Sequence, residues 1–350
     1  MKIAVTADLH LAVKEDYPER YDALENTLRQ IEAQSIQTLL IAGDLFDKDF
    51  HNYSAFESLC KKYPRIQIHI IPGNHDANIS EKSIVSPNIH IYTDPTALML
   101  DNKTFLFVPY KEKAKMSEQI AALEEDIIGK EWFLVSHGDY YGGTKELNPL
   151  EPGTYMPISK KNIETYKPRA VFLGHIHKPI NWSNVYYAGS PCGLNISETG
   201  KRRFLLCDTM DGSVTSQVVE NDVVYFDESF FILPLDNEVS LLKQETAKRI
   251  SSWNLDPSDC SKVIVRVRAI GYALDRSAVL AALRESFNGF RYYNDEGPLI
   301  DMLSSSTDQQ LNAIAERTMK LIDQLEWDFG GDQPERETVK IAALDVIYGT

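Results

Sequence analysis

The sequence predicts an α/β protein in which residues 1–224 form a mixed αββα sandwich and residues 225–350 form a smaller α+β domain. Three observations support this prediction. Strand and helix patterns alternate at the start of the chain, closely spaced strand patterns follow, and helical patterns return after about residue 225. A length of 350 residues also fits two domains better than one.

The alternating pattern occupies the first 72 residues. Apolar, strand-like runs at 2–7, 38–43 and 66–72 each end at a cluster of polar residues. The segments between them, 19–33 and 53–63, carry apolar residues at helical spacing. A β-α-β-α-β order predicts a sheet that is at least partly parallel, because consecutive parallel strands need a helical crossover.

Strand patterns then become frequent, which suggests a second sheet packed on the first. One helix is expected over roughly 113–128. Further strands are expected at 89–92, 97–100, 104–109, 132–136, 170–173, 185–188, 203–208 and 214–219. In the last part, helices are expected over 239–253, 277–287, 308–326 and 335–347, with an alternating strand at 263–268.

The composition, 43% hydrophobic and 25% charged, is typical of a globular protein. No signal peptide or membrane-spanning stretch is recognised, and the four cysteines are scattered, so we expect a cytoplasmic protein that does not bind membranes. The net charge of −15 argues mildly against a polyanionic partner. Candidate contacts to phosphate or DNA are the basic residues Lys160, Lys161, Lys201, Arg202 and Arg203.

Groups that can bind metal follow five of the predicted strands. In α/β sheets functional groups gather beyond the carboxyl ends of the strands, so clusters far apart in sequence can meet at one place. The clusters are Asp8-Leu9-His10, Gly43-Asp44-Leu45-Phe46-Asp47, Gly73-Asn74-His75-Asp76, His137-Gly138 and Gly174-His175-Ile176-His177.

Seven of these side chains are predicted metal ligands: Asp8, His10, Asp44, Asn74, His137, His175 and His177. Mixed carboxylate, amide and imidazole donors suit manganese, iron or zinc and are poor for calcium. Seven ligands exceed what one catalytic ion can use, so two divalent ions are expected, with Asp44 between them. Mn²⁺ is the favoured ion, and Mg²⁺, Fe²⁺ and Zn²⁺ are alternatives. Such a pair suits phosphoryl displacement.

His75 is left without a metal to bind. It follows Asn74 directly, so it can face the substrate and protonate the leaving oxygen. Asp76 is predicted to be its catalytic partner, which keeps the imidazole cationic. Otherwise His75 would be a histidine hydrogen-bonded within a turn.

The motifs D-x-H, GDLFD, GNHD, SHG and GHIH closely resemble those of the calcineurin-like metallophosphoesterases over residues 1 to about 220. The resemblance implies a four-layer αββα sandwich and His75 as the acid. Protein Ser/Thr phosphatases of this superfamily are excluded by Lys48 after Asp47 and by the ending of the third motif in Asp76. The implied ligand sets are Asp8, His10, Asp44 and His177 for one ion and Asp44, Asn74, His137 and His175 for the other.

The segment from Tyr155 to Asp208, with Gly189-Ser190-Pro191 and Glu198, resembles the SbcD-type DNA repair exonucleases. That branch implies a manganese-dependent DNA exonuclease and endonuclease acting in repair or recombination. It also implies a homodimer, an SbcC-type coiled-coil ATPase as partner, and a capping domain in residues 225–350. Asp47 stands at a position where the archaeal and eukaryotic members have histidine, and it is expected to support the ligands without binding an ion.

Three functions therefore remain open: a DNA nuclease, a phosphodiesterase for small nucleotides or other small diesters, and a scaffold without chemistry. A scaffold would be expected to lose ligands or the acid histidine, and every one of these positions is filled. The additional C-terminal residues favour a large substrate, whereas the acidic charge favours a small one.

Overall fold

The computed structural model describes residues 1–48, 52–79, 82, 84–142, 153–327 and 334–348. The chain divides into two compact units, Met1–Val224 and Tyr225–Thr350. Within the described ranges, no helix has the length and apolar character needed to cross a membrane.

Fourteen strands and five helices are described in the N-terminal unit. The strands are β1 Lys2–Thr6, β2 Thr38–Ala42, β3 Gln67–Ile71, β4 Ile89–Ile91, β5 Thr96–Leu100, β6 Lys103–Val108, β7 Trp132–His137, β8 Tyr140–Tyr141, β9 Ile158–Ser159, β10 Ala170–Gly174, β11 Ile180–Trp182, β12 Val185–Tyr187, β13 Arg203–Asp208 and β14 Val214–Val218. The helices are α1 Pro18–Ala33, α2 Tyr53–Cys60, α3 Met116–Ala121, α4 Glu124–Ile127 and α5 Lys160–Tyr166.

Two six-stranded sheets organise these elements. One has the order β14-β13-β1-β2-β3-β4, and the other has the order β11-β12-β10-β7-β6-β5. Strands β1 to β4 are parallel to one another, as are β6, β7, β10 and β12. The antiparallel strands β13, β14, β5 and β11 complete the edges. The carboxyl ends of the central parallel strands therefore lie at one edge of each sheet.

Apolar residues cover both faces of each sheet, which explains the four layers. Alternate residues of a strand point to opposite faces, so Ile3 and Val5 of β1 pack between the sheets, together with Phe105, Phe107 and other residues. Ala4 of the same strand belongs to the cluster beneath α1 and α2. A third cluster lies between the second sheet and helices α3 and α5. The predicted αββα fold is confirmed.

Some local predictions differ from the structure. The helix expected over 113–128 is two short helices, α3 and α4, separated at Ala122 and Leu123. The short strands β8, β9 and β11 and the helix α5 were not predicted. Helix α5 begins with a reciprocal capping box, in which Ser159 accepts from the Asn162 N–H and Asn162 accepts from the Ser159 N–H.

The C-terminal unit is an α+β structure with its own core. Its strands are β15 Val224–Ile232, β16 Val263–Ala273, β17 Arg291–Tyr292 and β18 Leu303–Ser305, and they form one sheet centred on β16. Its helices are α6 Glu238–Ser252, α7 Arg276–Ser286, α8 Gln309–Gln324 and α9 Arg336–Tyr348, with 3₁₀ turns at Pro257–Lys262 and Tyr293–Asp295. The sequence-based prediction ended β16 at 268 and omitted β15, whose alternate residues are buried.

Candidate metal centre

The predicted ligands lie at the carboxyl ends of five strands. Asp8 follows β1, Asp44 follows β2 and Asn74 follows β3 in the first sheet. In the second sheet His137 ends β7 and His175 follows β10. The His137 Nδ1 lies 3.0 Å from the Ala42 carbonyl at the end of β2, so the strand ends of the two sheets meet.

The backbone is left-handed at four of the ligand positions. The φ angles are 53° at Asp8, 45° at His10, 49° at Asp44 and 98° at His175. Positive φ is uncommon for residues other than glycine and persists only where surrounding contacts hold it. Backbone strain of this kind concentrates at functional sites, and here it falls on the residues that carry the donor atoms.

Two motif glycines allow this close packing. A Cβ at Gly43, whose φ is +90°, would overlap the imidazole of His137. A Cβ at Gly73 would overlap the carboxylate of Asp44. Larger residues at these positions would push the donor groups apart.

One group of donors consists of Asp8, His10 and His177, whose ligand atoms all lie within 4.8 Å of one another. The Nε2 atoms of His10 and His177 are 3.1 Å apart. A second group consists of Asn74, His137 and His175. The Asn74 Oδ1 lies 2.8 Å from His137 Nε2 and 3.2 Å from His175 Nδ1.

Asp44 joins the two groups. Its Oδ2 lies 3.6 Å from His10 Nε2 and 3.4 Å from His137 Nε2. Its Oδ1 accepts a hydrogen bond from the backbone N–H of His75 at 2.9 Å. Burial works against ionisation of Asp44, but the charges of His137 and His10 outweigh it and lower the pKa of this carboxyl. An ionised carboxylate between two donor groups suits a shared ligand.

The donor set fits divalent cations. Asp8 is completely buried, and within the described part of the chain its Oδ2 has no hydrogen-bond partner. Burial raises the pKa of Asp8, although His177 and His137 oppose the shift. A buried carboxylate oxygen without a donor is costly unless a cation compensates it, and a metal ion beside His10 and His177 would do so.

Hydrogen bonds to the second ring nitrogen orient two of the imidazoles. When the His137 Nδ1–H donates to the Ala42 carbonyl, Nε2 faces the donors with its lone pair. The His177 Nδ1 is 2.8 Å from Glu198 Oε1, which leaves His177 Nε2 for an ion in the same way. Burial opposes ionisation of Glu198, but the hydrogen bond with His177 lowers its pKa to about 2.

His75 lies at the edge of the donor cluster. Its ring meets that of His10 edge-on at a centroid distance of 4.5 Å, and its Nδ1 is 3.3 Å from Asp47 Oδ1. The carboxylate beside His75 is therefore Asp47, and the predicted pairing of His75 with Asp76 is wrong. Asp47 supports the site as expected of a residue around the ligands, since it also lies 3.8 Å from His10 Nδ1.

Asp76 instead holds two motif turns together. It is completely buried and accepts hydrogen bonds from the N–H groups of Gly73, at 2.7 Å, and Phe46, at 3.1 Å. Burial, and then the charge of Asp44, raise the pKa of Asp76 to about 6. Its side chain points back into the protein because it caps the turn that presents Asn74.

Arg20 is a contributor that the sequence analysis missed. Its buried guanidinium donates to the His10 carbonyl and to Asp47 Oδ2, the latter at 3.1 Å. Burial opposes ionisation of Asp47, but hydrogen bonds with His10, His75 and Arg20 outweigh it and lower the pKa of Asp47. No sequence signal marks Arg20, because it lies in an amphipathic helix where a charged residue is usually solvated.

The predicted basic contacts are not equivalent. Arg202 is buried, forms an ion pair with Glu198 at 3.6 Å and donates to Ser190 Oγ at 2.7 Å, so its predicted role in contacting phosphate or DNA is wrong. Lys160 and Lys161 are exposed at the start of α5, and Lys160 lies 3.9 Å from Glu164. Lys201 and Arg203 are partly exposed, and Arg203 donates to Ser216.

Two tyrosines flank the second donor group. The Tyr155 ring lies 4.4 Å from the His175 ring, and the Tyr110 ring lies 6.2 Å from both Tyr155 and His137. Both tyrosines are half-buried, so part of each ring remains accessible beside the donors. Accessible aromatic rings are suited to contacts with a planar group of a substrate.

Comparison with curated proteins finds distant relatives. The Bacillus subtilis protein described as uncharacterized metallophosphoesterase YhaO is 24% identical over 200 residues, which cover 52% of this chain and 48% of that protein. The SbcD component of the nuclease SbcCD of Staphylococcus saprophyticus is 24% identical over 242 residues, covering 57% and 63%. A probable cyclic nucleotide phosphodiesterase of Fibrobacter succinogenes is 23% identical over 193 residues, covering 51% and 73%. The alignment thus spans about half of the first relative and less than two thirds of the second.

Among solved structures, TT1561 of Thermus thermophilus matches 63% of this chain and 99% of that chain, with a TM-score of 0.45 and 15% identity. A dimetal phosphatase from Danio rerio matches 62% and 95%, with a TM-score of 0.44 and 12% identity. The family model for calcineurin-like phosphoesterases matches residues 1–179, which hold all seven predicted ligands. Because this match covers more than half of the 350 residues, the chain belongs to the calcineurin-like phosphoesterases, hydrolases that use a dinuclear metal site.

Proposed function

We propose that this chain is a manganese-dependent DNA nuclease of the SbcD type, acting in DNA repair or recombination. The observation that carries the hydrolytic assignment is the convergence of seven donor residues around Asp44 Oδ2, with His75 at their edge. Asp8, His10, Asp44 and His177 would hold one ion, and Asp44, Asn74, His137 and His175 the other. When bound, the two ions supply Lewis-acid stabilisation of the phosphoryl oxygens and activation of water.

His75 is the proposed general acid. Asp47 lies beside its Nδ1, so Nε2–H is the group that would face the substrate and protonate the leaving oxygen. Arg20 fixes Asp47 from the opposite side and keeps this carboxylate ionised. The pair resembles the base-orienting half of a catalytic triad, in which a carboxylate selects the tautomer of a histidine.

A nucleotide is the favoured substrate class because of the rings of Tyr110 and Tyr155. They lie next to His137 and His175, which belong to the donor cluster. Nucleobases stack on aromatic side chains with little dependence on sequence. A phosphodiester held at the donors would therefore bring an adjacent base to these rings.

DNA is favoured over a small nucleotide by the second compact unit, Tyr225–Thr350. A small diester can be held by the donors and the two tyrosines alone. We propose that residues 225–350 act as a capping domain that holds a long substrate, with residues 1–224 as the nuclease domain. The match to the SbcD component of the nuclease SbcCD supports this proposal and extends it to a homodimer and to an SbcC-type ATPase as partner.

A small-nucleotide phosphodiesterase is the second candidate. The match to a probable cyclic nucleotide phosphodiesterase favours it, as does the net charge of −15. The burial of Arg202 also removes one cation from the surface that a polyanion would contact.

The two candidates are separated by substrates offered side by side. The full chain, loaded with Mn²⁺, would be incubated with linear duplex DNA, circular single-stranded DNA, cyclic nucleotides and bis-p-nitrophenyl phosphate. We expect DNA cleavage to exceed turnover of cyclic nucleotides. Intact DNA with rapid turnover of cyclic nucleotides would establish the second candidate instead. A chain ending at Val224 should keep activity on the chromogenic diester and lose DNA cleavage, and full DNA cleavage by that chain would refute the capping role.

A further inference from the structure

His177 is fixed at both its ring and its backbone. Its Nδ1 lies 2.8 Å from Glu198 Oε1. Its carbonyl accepts hydrogen bonds from the Ser190 N–H, at 3.1 Å, and from the guanidinium of Arg202. The free ring nitrogen, Nε2, is thereby directed towards His10.

Glu198 is itself held by buried donors. Its Oε2 accepts from the Ser190 hydroxyl at 3.0 Å and from the Leu194 N–H at 3.1 Å, and lies 3.6 Å from Arg202. The side chains of Glu198 and Arg202 are 8% and 6% exposed, so solvent screens their charges weakly. A carboxylate with this many fixed donors has one available orientation, and it imposes that orientation on the imidazole.

The histidine of the second donor group is oriented differently. The His137 Nδ1 faces a backbone carbonyl, that of Ala42, and a side-chain substitution cannot remove that acceptor. A change at Glu198 should therefore affect the group that contains His177 and leave the group that contains His137. Partners of this kind typically alter metal affinity by about 10–100-fold.

We propose that Glu198 is a positioning residue that orients His177 and sets the affinity of the Asp8–His10–His177 group for a divalent cation. Arg202 and Ser190 support it by fixing the Glu198 carboxylate. This inference rests on the two-ion site of the proposed function and adds to it a residue outside the ligand set.

The test is a calorimetric titration of the chelator-treated full chain with Mn²⁺. Wild-type protein should bind two ions. Glu198→Gln, which keeps the shape and removes the charge, should weaken one of them by about 10–100-fold and leave the other within about threefold. Glu220→Gln is the matched control, because Glu220 is 58% exposed and pairs with Arg29 at the surface. It should bind both ions like wild type.

A double-substitution cycle identifies the affected ion. His177→Ala should weaken the same ion as Glu198→Gln, and the combined variant should be no weaker than His177→Ala alone, because Glu198 acts through His177. Additive losses would overturn the proposal, as would wild-type affinity for both ions in Glu198→Gln.

Nitrogen-15 NMR of the metal-free wild type provides a second measurement that needs no variant to fold. The His177 ring should carry a proton on Nδ1, and a neutral ring with its proton on Nε2 would overturn the proposal. If wild type binds fewer than two ions, the proposed function fails at its metal site. If it binds two and Glu198→Gln changes neither, only the role of Glu198 fails.

Discussion

Buried carboxylates are satisfied in opposite ways in the two units. In the C-terminal unit Glu228 accepts from Arg249 at 2.6 Å and from the Trp253 indole at 2.8 Å. Glu238 accepts from the N–H groups of Leu274 and Asp275. In the N-terminal unit, by contrast, the buried Asp8 Oδ2 has no partner within the described part of the chain.

The difference shows which unit is complete without a cation. A buried carboxylate with protein donors contributes to folding and needs nothing further. A buried carboxylate that faces imidazole nitrogens is costly until a positive charge arrives. The C-terminal unit is therefore expected to be indifferent to divalent ions, and the N-terminal unit to depend on them.

The largest expected effect is on catalysis. His75→Ala should lower kcat for bis-p-nitrophenyl phosphate by about 100–10,000-fold, because general acid catalysis contributes that much. Mn²⁺ stoichiometry, measured by calorimetry, should stay at the wild-type value. His90→Ala is the matched control, since His90 contacts Gln67 away from the donors. A comparable loss of activity in His90→Ala would show that the His75 effect is not specific.

Removal of metal should distinguish the units next. At free Mn²⁺ about 1,000-fold above Kd, binding stabilises the folded state by about 4 kcal/mol. Chelation should therefore increase hydrogen exchange near the ends of β1, β2 and β7 and leave β16 unchanged. Exchange followed by mass spectrometry measures both units in one sample. Equal changes in the two units would contradict the comparison.

Breaking a satisfied carboxylate should have the converse effect. Glu228→Ala removes the acceptor of the buried Trp253 indole and is expected to destabilise the C-terminal unit by about 2–3 kcal/mol. Urea unfolding measures the loss, and Mn²⁺ affinity should not change. Glu245→Ala, at a 47% exposed partner of Arg249, should cost less than about 1 kcal/mol. A reduced Mn²⁺ affinity in Glu228→Ala would refute the separation.

His69 tests whether burial alone makes a polar group functional. It is a buried histidine outside the donor cluster, hydrogen-bonded to the Tyr92 hydroxyl at 2.8 Å. Burial, and then the charge of His90, lower the pKa of His69 to about 4. The unfolded chain binds the proton first, near pH 6.5, so the stability contributed by neutral His69 is complete above that pH and is lost as the pH falls towards 4.

Lowering the pH from 7 to 5 should therefore cost about 2 kcal/mol through His69. Urea unfolding at both pH values should show this loss in wild type and a correspondingly smaller one in His69→Gln, which keeps a polar group and does not titrate. An identical pH dependence in both proteins would show that His69 does not contribute.

The amino-acid sequence by itself determined the layered fold and the positions of the donor residues. Apolar runs of strand length fix the strands, and parallel strands must end at a common edge, so polar residues after β1, β2, β3, β7 and β10 were expected to meet. The glycines beside them could be recognised as part of the motifs. Their reason, overlap of a Cβ with His137 or Asp44, is visible only in the structure.

Only the tertiary structure decided which charged groups pair with one another. Asp76 is next to His75 in sequence, yet Asp47 lies beside the His75 ring, because Asp76 turns inward to cap Gly73 and Phe46. Arg202 was expected at the surface and is buried against Glu198. The direction and burial of a charged side chain depend on the segments that pack over it, and those come from distant parts of the chain.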